Sequence, residues 1–248
     1  MTLVDAAARL ATAVEDLPSR APLGNVSVIL NPLAYAWDNH AAYLQRFAPE
    51  GHTIEALFVG MNPGPWGMAQ TGVPFGSPDM VRSFLGIQGP VRQPPRTHPR
   101  RPIEGVQCHR NEVSGQRLWG TIQACFGTPE RFFERFFVAN YCPLLFQADS
   151  GANITPDRVP RALRDAFEPP CGEHLVAVVR TLQPRTVIGV GKWVTSRATR
   201  VLEAAGIDVR VASILHPSPA SPAANRGWRE KVLTQLEDLG HPWPPPQT

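Results

Sequence analysis

Four short apolar runs, Thr53–Val59, Phe136–Tyr141, Arg185–Val190 and Val209–Leu215, are set apart by segments that carry helix signals. Each run is rich in Val, Ile, Phe or Leu, and each is the length of one strand. Continuous apolar runs of this kind read as strands buried on both faces, and strands that alternate with helices read as a parallel sheet. This pattern constrains the chain more than any other feature: it predicts an α/β protein whose sheet is covered on both sides.

The segments between the runs supply the helices. Leu3 to Val14 has the spacing of a short amphipathic helix. Ser114 is placed to cap a helix from Gln116 to Cys125, with Gly127 just past its end. Thr128-Pro129 and Thr155-Pro156 both carry the start signal of proline at a first helical position. Further helices are expected over Cys171–Leu182, over Trp193–Ala205 before Gly206, and over Ala223–Leu239 before Gly240. Gln88 to Pro102 holds five prolines and four arginines and reads as a long surface loop. His241 to Thr248 reads as a frayed tail. No linker divides the chain, so residues 1–248 are expected to form one domain.

No apolar run approaches the roughly 20 residues of a membrane helix. The segment Met1-Thr2-Leu3-Val4-Asp5 lacks the basic start of a secretory signal. A soluble, intracellular protein is the expectation. The four cysteines, at 108, 125, 142 and 171, have no C-x-x-C spacing. They predict free thiols and no metal site. The net charge is only +3, but Val91 to Arg117 carries six arginines against two glutamates. Such a patch suits a phosphate backbone. Arginine is also this chain's default basic residue, since only two of its 24 basic residues are lysines. The patch alone therefore decides nothing.

Three loops follow predicted strands and carry the candidate chemistry. Gly60 to Gly76 contains five glycines and three prolines, and cannot continue a strand or form a good helix. It is expected to be a rigid loop with Asn62 and Phe75 on it, at the kind of strand end where open α/β sheets bind ligands. The second loop runs from Tyr141 through Cys142-Pro143-Leu144-Leu145-Phe146, directly after Asn140. The third is His216-Pro217-Ser218-Pro219. Parallel strands end on one edge, so Asn62, Asn140 and His216 are expected to converge there. Taken singly, Asn62 reads as a turn residue, His216 as a structural histidine and Phe75 as core; the combination favours a base pocket. Gly189-Val190-Gly191-Lys192 is discarded as a phosphate loop, because its spacing is short and Trp193 stands where Ser or Thr belongs. Glu112 is expected to cap the following helix or pair with an arginine.

The loop Gly60–Gly76 resembles the first motif of the single-strand-selective monofunctional uracil-DNA glycosylases, and His216-Pro217-Ser218-Pro219 resembles their second. Glu112-Val113-Ser114-Gly115, Asn140-Tyr141-Cys142-Pro143-Leu144-Leu145-Phe146, Gly189-Val190-Gly191 and Asn225-Arg226-Gly227-Trp228 are similar to further segments of that family. The resemblance extends from about Thr53 to Leu239. It implies a three-layer α/β/α fold around a four-stranded parallel sheet, and hydrolysis of the N-glycosidic bond of uracil in DNA as part of base-excision repair. It also implies action on some 5-oxidised uracils, with no cofactor and no metal. By position, Asn62 would hold the attacking water and His216 would donate to uracil O2. Phe75 would stack on the base and Asn140 would read its Watson–Crick edge. Met61, Gly64 and Met68 would shape the pocket. Arg96, Arg100, Arg101 and Arg110, with Ser114, Ser218 and Ala220, are expected against DNA, single-stranded or duplex. The family often has a basic residue in its wedge loop, where this chain has Ala220-Ser221. Two rival readings stay open: a glycosylase mainly for deaminated purines, and a catalytically silent DNA-binding module.

Overall fold

The computed structural model describes residues 1–17 and 21–246. Its strands are β1 (Val28–Leu30), β2 (Ala56–Gly60), β3 (Phe136–Asn140), β4 (Leu145–Gln147), β5 (Asn153–Ile154), β6 (Thr186–Val190) and β7 (Arg210–Ile214). Among the described residues six helices exceed ten residues. They are α1 (Leu3–Ala13), α2 (Trp37–Phe47), α3 (Val113–Phe126), α4 (Arg161–Leu182), α5 (Lys192–Ala204) and α6 (Trp228–Asp238).

The four predicted runs form one parallel sheet in the order β3-β2-β6-β7. The first run was expected to begin at Thr53, but its ladder begins at Ala56. Ile54 and Glu55 instead donate to the carbonyls of Leu182 and Arg135. Helix α5 lies on β6 and β7, with α4 beside it and α1 beyond α4. Tyr43 of α2 packs on Phe137, with ring centroids 5.2 Å apart. The opposite face carries Phe58 and Phe136, which pack on Phe126 of α3, Phe132 and Trp243. The sheet is therefore sandwiched between two helical layers. This arrangement follows from the right-handed crossovers that parallel strands require.

Sequence reasoning missed a second sheet, antiparallel, in the order β1-β4-β5. Its strands are two or three residues long, too short to show a period. Thr155-Pro156 does not start a helix: Arg158 N–H closes a turn on the Thr155 carbonyl, and α4 begins at Arg161. That helix also runs ten residues further back than expected, with Pro169 and Pro170 inside it. The last helix is broken in two, Pro222–Asn225 and α6, at Gly227, whose φ is +77°. Ser114 is not a cap but lies buried in the first turn of α3, behind Glu112 at the cap position. All four cysteines are free and buried. Among the described residues no helix is long and apolar enough to cross a membrane.

The expected frayed tail is docked over its first residues. His241 is buried, with Nε2 2.8 Å from Thr186 Oγ1. Trp243 lies in an aromatic cluster, its ring centroid 5.5 to 6.2 Å from those of Phe58, Phe126, Phe132 and Phe136. Apolar burial of a large ring outweighs the entropy of fixing three residues. Replacing Trp243 with Ala is expected to lower stability by about 3 kcal/mol, as for other large-to-small changes in aromatic cores. The check is the urea midpoint; an unchanged midpoint would mean that the tail contributes nothing.

Candidate active site

The parallel register brings the three loops to one edge. Gly60, the last residue of β2, pairs with Asn140, the last of β3. Beyond the sheet the pairing continues: Tyr141 N–H donates to Gly60 O at 2.8 Å, and Cys142 N–H to Met61 O at 3.0 Å. The first and second loops are thereby zipped together. Asn62 follows two residues after Gly60, and its Nδ2 donates to Leu144 O at 3.2 Å and Pro63 O at 3.3 Å. Its nitrogen is committed to the backbone. The side-chain atom left without a protein partner is Oδ1, an acceptor.

Gly60 has no side chain at the point where two others meet. A Cβ there would overlap both Asn140 Oδ1 and the Phe75 ring. The Asn140 amide is held on its other side by Met68, with Nδ2 3.1 Å from the sulfur. Asn140 Oδ1 is buried and has no protein partner. Buried polar atoms are rarely left unpaired, and this one packs against Gly60. Phe75 is one of two described non-glycine residues with positive φ, at +54°. The conformation is fixed from several sides. Ser77 N–H donates to Phe75 O at 2.8 Å, Trp119 Nε1 to Pro74 O at 3.2 Å and Thr71 Oγ1 to Gly76 O at 2.9 Å. Strain of this kind persists only where the surroundings over-determine it.

His216 comes from the far side, one residue beyond Leu215 and two beyond the end of β7. Its Nδ1 accepts the Ser218 N–H at 3.0 Å. The proton of the neutral ring must then sit on Nε2, which becomes a fixed donor. Burial disfavours the imidazolium and pulls the pKa down to about 4. The ring is therefore neutral at physiological pH. Its centroid lies 6.2 Å from that of Phe75. Gly191, at φ +104°, lies under the histidine, so that a Cβ there would sit 3.4 Å from His216 Cβ. That is ordinary contact, so the glycine rejected as a phosphate binder is called for by its backbone conformation and not by the ring.

Other expected residues fall as follows. Met68 is buried beneath Asn140, whereas Met61 is half-buried. Gly64 faces the Glu112 carboxylate, which a Cβ would overlap. Arg96, Arg100 and Arg110 are exposed, as is Ala220. Arg101 is partly committed to the protein: its Nε donates to Gly151 O at 3.2 Å. Both Arg101 and Arg110 lie over the Trp66 ring, 5.1 and 4.5 Å from its centroid. Ser218 Oγ accepts the Ala220 N–H at 3.1 Å and shapes the loop tip. Ser114, buried, does not share that surface. A cavity of about 1100 Å³ opens elsewhere, between α1, α4 and α5, and none of Asn62, Phe75, Asn140 or His216 lines it.

Sequence reasoning missed the anchors of these loops. Glu112 neither caps α3 with its side chain nor forms an ion pair. It accepts the Trp66 N–H at 3.1 Å, and burial raises its pKa. Arg117 donates to Pro217 O and Asn225 Oδ1, both at 2.9 Å. Their one sequence signal was Glu112's place within a family-like segment. The partners lie 46 and 100 residues away, beyond any local pattern.

Residues 49–238 match the family model of the uracil DNA glycosylase superfamily. The single-strand selective monofunctional uracil DNA glycosylase of Bos taurus is 46% identical over 215 residues, covering 87% of this chain and 78% of that protein. Its counterpart in Mus musculus is 47% identical over 215 residues, covering 87% and 76%. The crystal structure of wild-type SMUG2 from Pedobacter heparinus is similar in fold. Its TM-score is 0.66 at 19% identity, over 97% of this chain and 99% of that one. The chain belongs to the single-strand-selective monofunctional branch of the uracil DNA glycosylase superfamily.

Proposed function

We propose that the protein hydrolyses the N-glycosidic bond of uracil in DNA, leaving an abasic site for base-excision repair. The observation that carries this reading is the neutral His216, its Nε2–H fixed by the Ser218 N–H, beside Phe75 and the unpaired Asn140 Oδ1. A base inside a duplex is unreachable, so it must leave the stack and enter the pocket. There Phe75 stacks on its face. Asn140 accepts from N3–H and donates to O4. Cytosine presents the opposite pattern and would leave buried polar groups unmatched.

The reaction breaks the bond from C1′ to N1. The electron pair leaves with uracil, and negative charge grows on O2, where His216 Nε2–H stands ready. A donor fixed in place before the reaction stabilises charge that appears only in the transition state. Asn62 Oδ1 accepts from a water whose oxygen bonds to C1′ as positive charge develops on the sugar. An amide is a weak base, so the water adds late and its proton passes to solvent. Uracil departs as the anion and is protonated there. Arg96, Arg100 and Arg110 are exposed for phosphates, which position DNA without reading its sequence. The pocket also accepts some 5-oxidised uracils. Hypoxanthine and xanthine offer a similar N–H and carbonyl pair, so they belong in the substrate panel.

The test is a single-turnover assay on an oligonucleotide with one uracil. Strand cleavage should appear after alkali and not before it. His216→Ala should keep the fold and slow the reaction about 10²- to 10³-fold, the usual loss for one such donor. A folded variant at the wild-type rate would remove His216 from the mechanism, and an inert wild-type protein would end the proposal.

Base choice tests Asn140. Asn140→Asp replaces the donor facing O4 with a second acceptor. Uracil excision should fall more than about tenfold, because an unmatched buried pair costs about 1–3 kcal/mol. A trace of cytosine excision is the accompanying gain. If the variant instead melts at lower temperature with its uracil-to-cytosine ratio unaltered, Asn140 only pins the second loop.

A further inference from the structure

The first turns of α3 touch both reactive loops. On one side Glu112 Oε2 accepts the Trp66 N–H at 3.1 Å, and the carboxylate stands against Gly64. Gly67 closes on the same side chain, so that a Cβ there would lie 3.1 Å from Glu112 Cβ. Asn111 adds to the grip: its Oδ1 accepts from Ser77 Oγ at 2.8 Å and from Asp79 N–H at 3.3 Å. Gly115 fits against the carbonyl of Phe75 so closely that any side chain would collide with it. The contacts of Glu112 and Gly115 fall on the loop that carries Asn62, and those of Asn111 on the cap and first turn of the short helix Pro78–Ser83 that follows it.

On the other side Arg117 spans to the histidine loop. One terminal nitrogen donates to Pro217 O, the carbonyl next to His216 in sequence, and the other to Asn225 Oδ1. Asn225 Nδ2 in turn donates to Pro219 O at 2.8 Å. Arg117 therefore holds both ends of His216-Pro217-Ser218-Pro219, one directly and one through Asn225.

An ordinary residue at Glu112's position would turn its carboxylate back to its own helix, and this one does not. An ordinary surface arginine would leave its head group in water, whereas both terminal nitrogens of Arg117 are occupied. The two residues sit five apart, Glu112 at the cap of α3 and Arg117 in its second turn, each aimed at a different loop. Because Asn62 and His216 come from the ends of β2 and β7, with β6 between them, the sheet alone does not fix their separation. We infer that Glu112 and Arg117 are positioning residues, a brace that sets Asn62 and His216 at their working separation across the pocket. The inference rests on the roles proposed above for those two residues. Catalysis is sensitive to such placement, since an error of about 1 Å can cost about 10²-fold in rate.

The test is a crossed set of double variants, read as single-turnover excision of uracil at saturating protein. Glu112→Ala and Arg117→Met should each slow the reaction about 10- to 100-fold. Affinity for DNA carrying a reduced abasic site should change less than about 3-fold. Glu112→Gln keeps an acceptor for Trp66 N–H and should restore the rate to within about 3-fold of wild type. Residues acting through one partner are non-additive with it. Glu112→Ala should therefore lose nearly all its effect on an Asn62→Ala background and keep it on His216→Ala. Arg117→Met should show the reverse. Equal losses on both backgrounds would overturn the brace, as would a folded Glu112→Ala at the wild-type rate or a Glu112→Gln as slow as Glu112→Ala. If Glu112→Ala does not fold, the Arg117→Met arm decides by the same crossing. If Asn62→Ala and His216→Ala are themselves as fast as wild type, the proposed function fails and takes the brace with it. If they are slow and the crossing is absent, the brace alone fails.

Discussion

The site depends on the missing side chain at Gly60. As the last residue of β2, it lies in register with Asn140 and beneath the ring of Phe75. Any side chain there would displace both. The strain at Phe75, the amide held by the Met68 sulfur and the zipping of Tyr141 and Cys142 onto Gly60 and Met61 are all arranged around that gap. A parallel sheet makes the convergence possible, because its strands end on one edge. The glycine lets Asn140 and Phe75 close together over the end of β2.

Charge is managed by the same economy. His216 approaches the pocket as a neutral ring, since burial disfavours its charged form and the Ser218 N–H occupies Nδ1. Asn62 spends its nitrogen on Leu144 O and keeps only an acceptor free. Neither group needs to change protonation state during the proposed reaction. Stabilisation comes instead from donors and acceptors fixed in place, as in other sites that act on developing charge. Of the arginines from Val91 to Arg117, Arg101 and Arg110 stack on Trp66, Arg92, Arg96 and Arg100 are exposed, and Arg117 alone turns inward to the histidine loop.

Much of this was legible in the sequence, for a physical reason. Strands covered on both faces must be apolar throughout, so β2, β3, β6 and β7 stood out as runs, misjudged by three residues at most. The loops were legible in part, because glycine and proline disfavour regular structure, but Met68–Thr71 forms a helical turn inside the first and Leu145–Phe146 of the second belong to strand β4. With the strands placed, Asn62, Asn140 and His216 had to lie along one edge. What stayed hidden had no local signal. The antiparallel sheet is built from strands too short to show a period. The helix expected over Cys171–Leu182 begins ten residues earlier, through Pro169 and Pro170, residues that disfavour a helix interior. Trp243 reads as part of a proline-rich tail until the Phe58, Phe126, Phe132 and Phe136 cluster is assembled. Glu112 and Arg117 find partners only once the chain has folded.

The central claim is that His216 acts as a neutral donor through Nε2. Nitrogen NMR of protein labelled at histidine reads the tautomer and the titration directly. The folded pKa of about 4 lies below the unfolded value of about 6.5. Stability from the neutral ring is therefore complete above about pH 6.5 and is lost as pH falls toward the folded value. The account predicts a His216 signal with the proton on Nε2 and no titration from pH 8 down to about 5. A proton on Nδ1, or a midpoint near the ordinary histidine value, would contradict it.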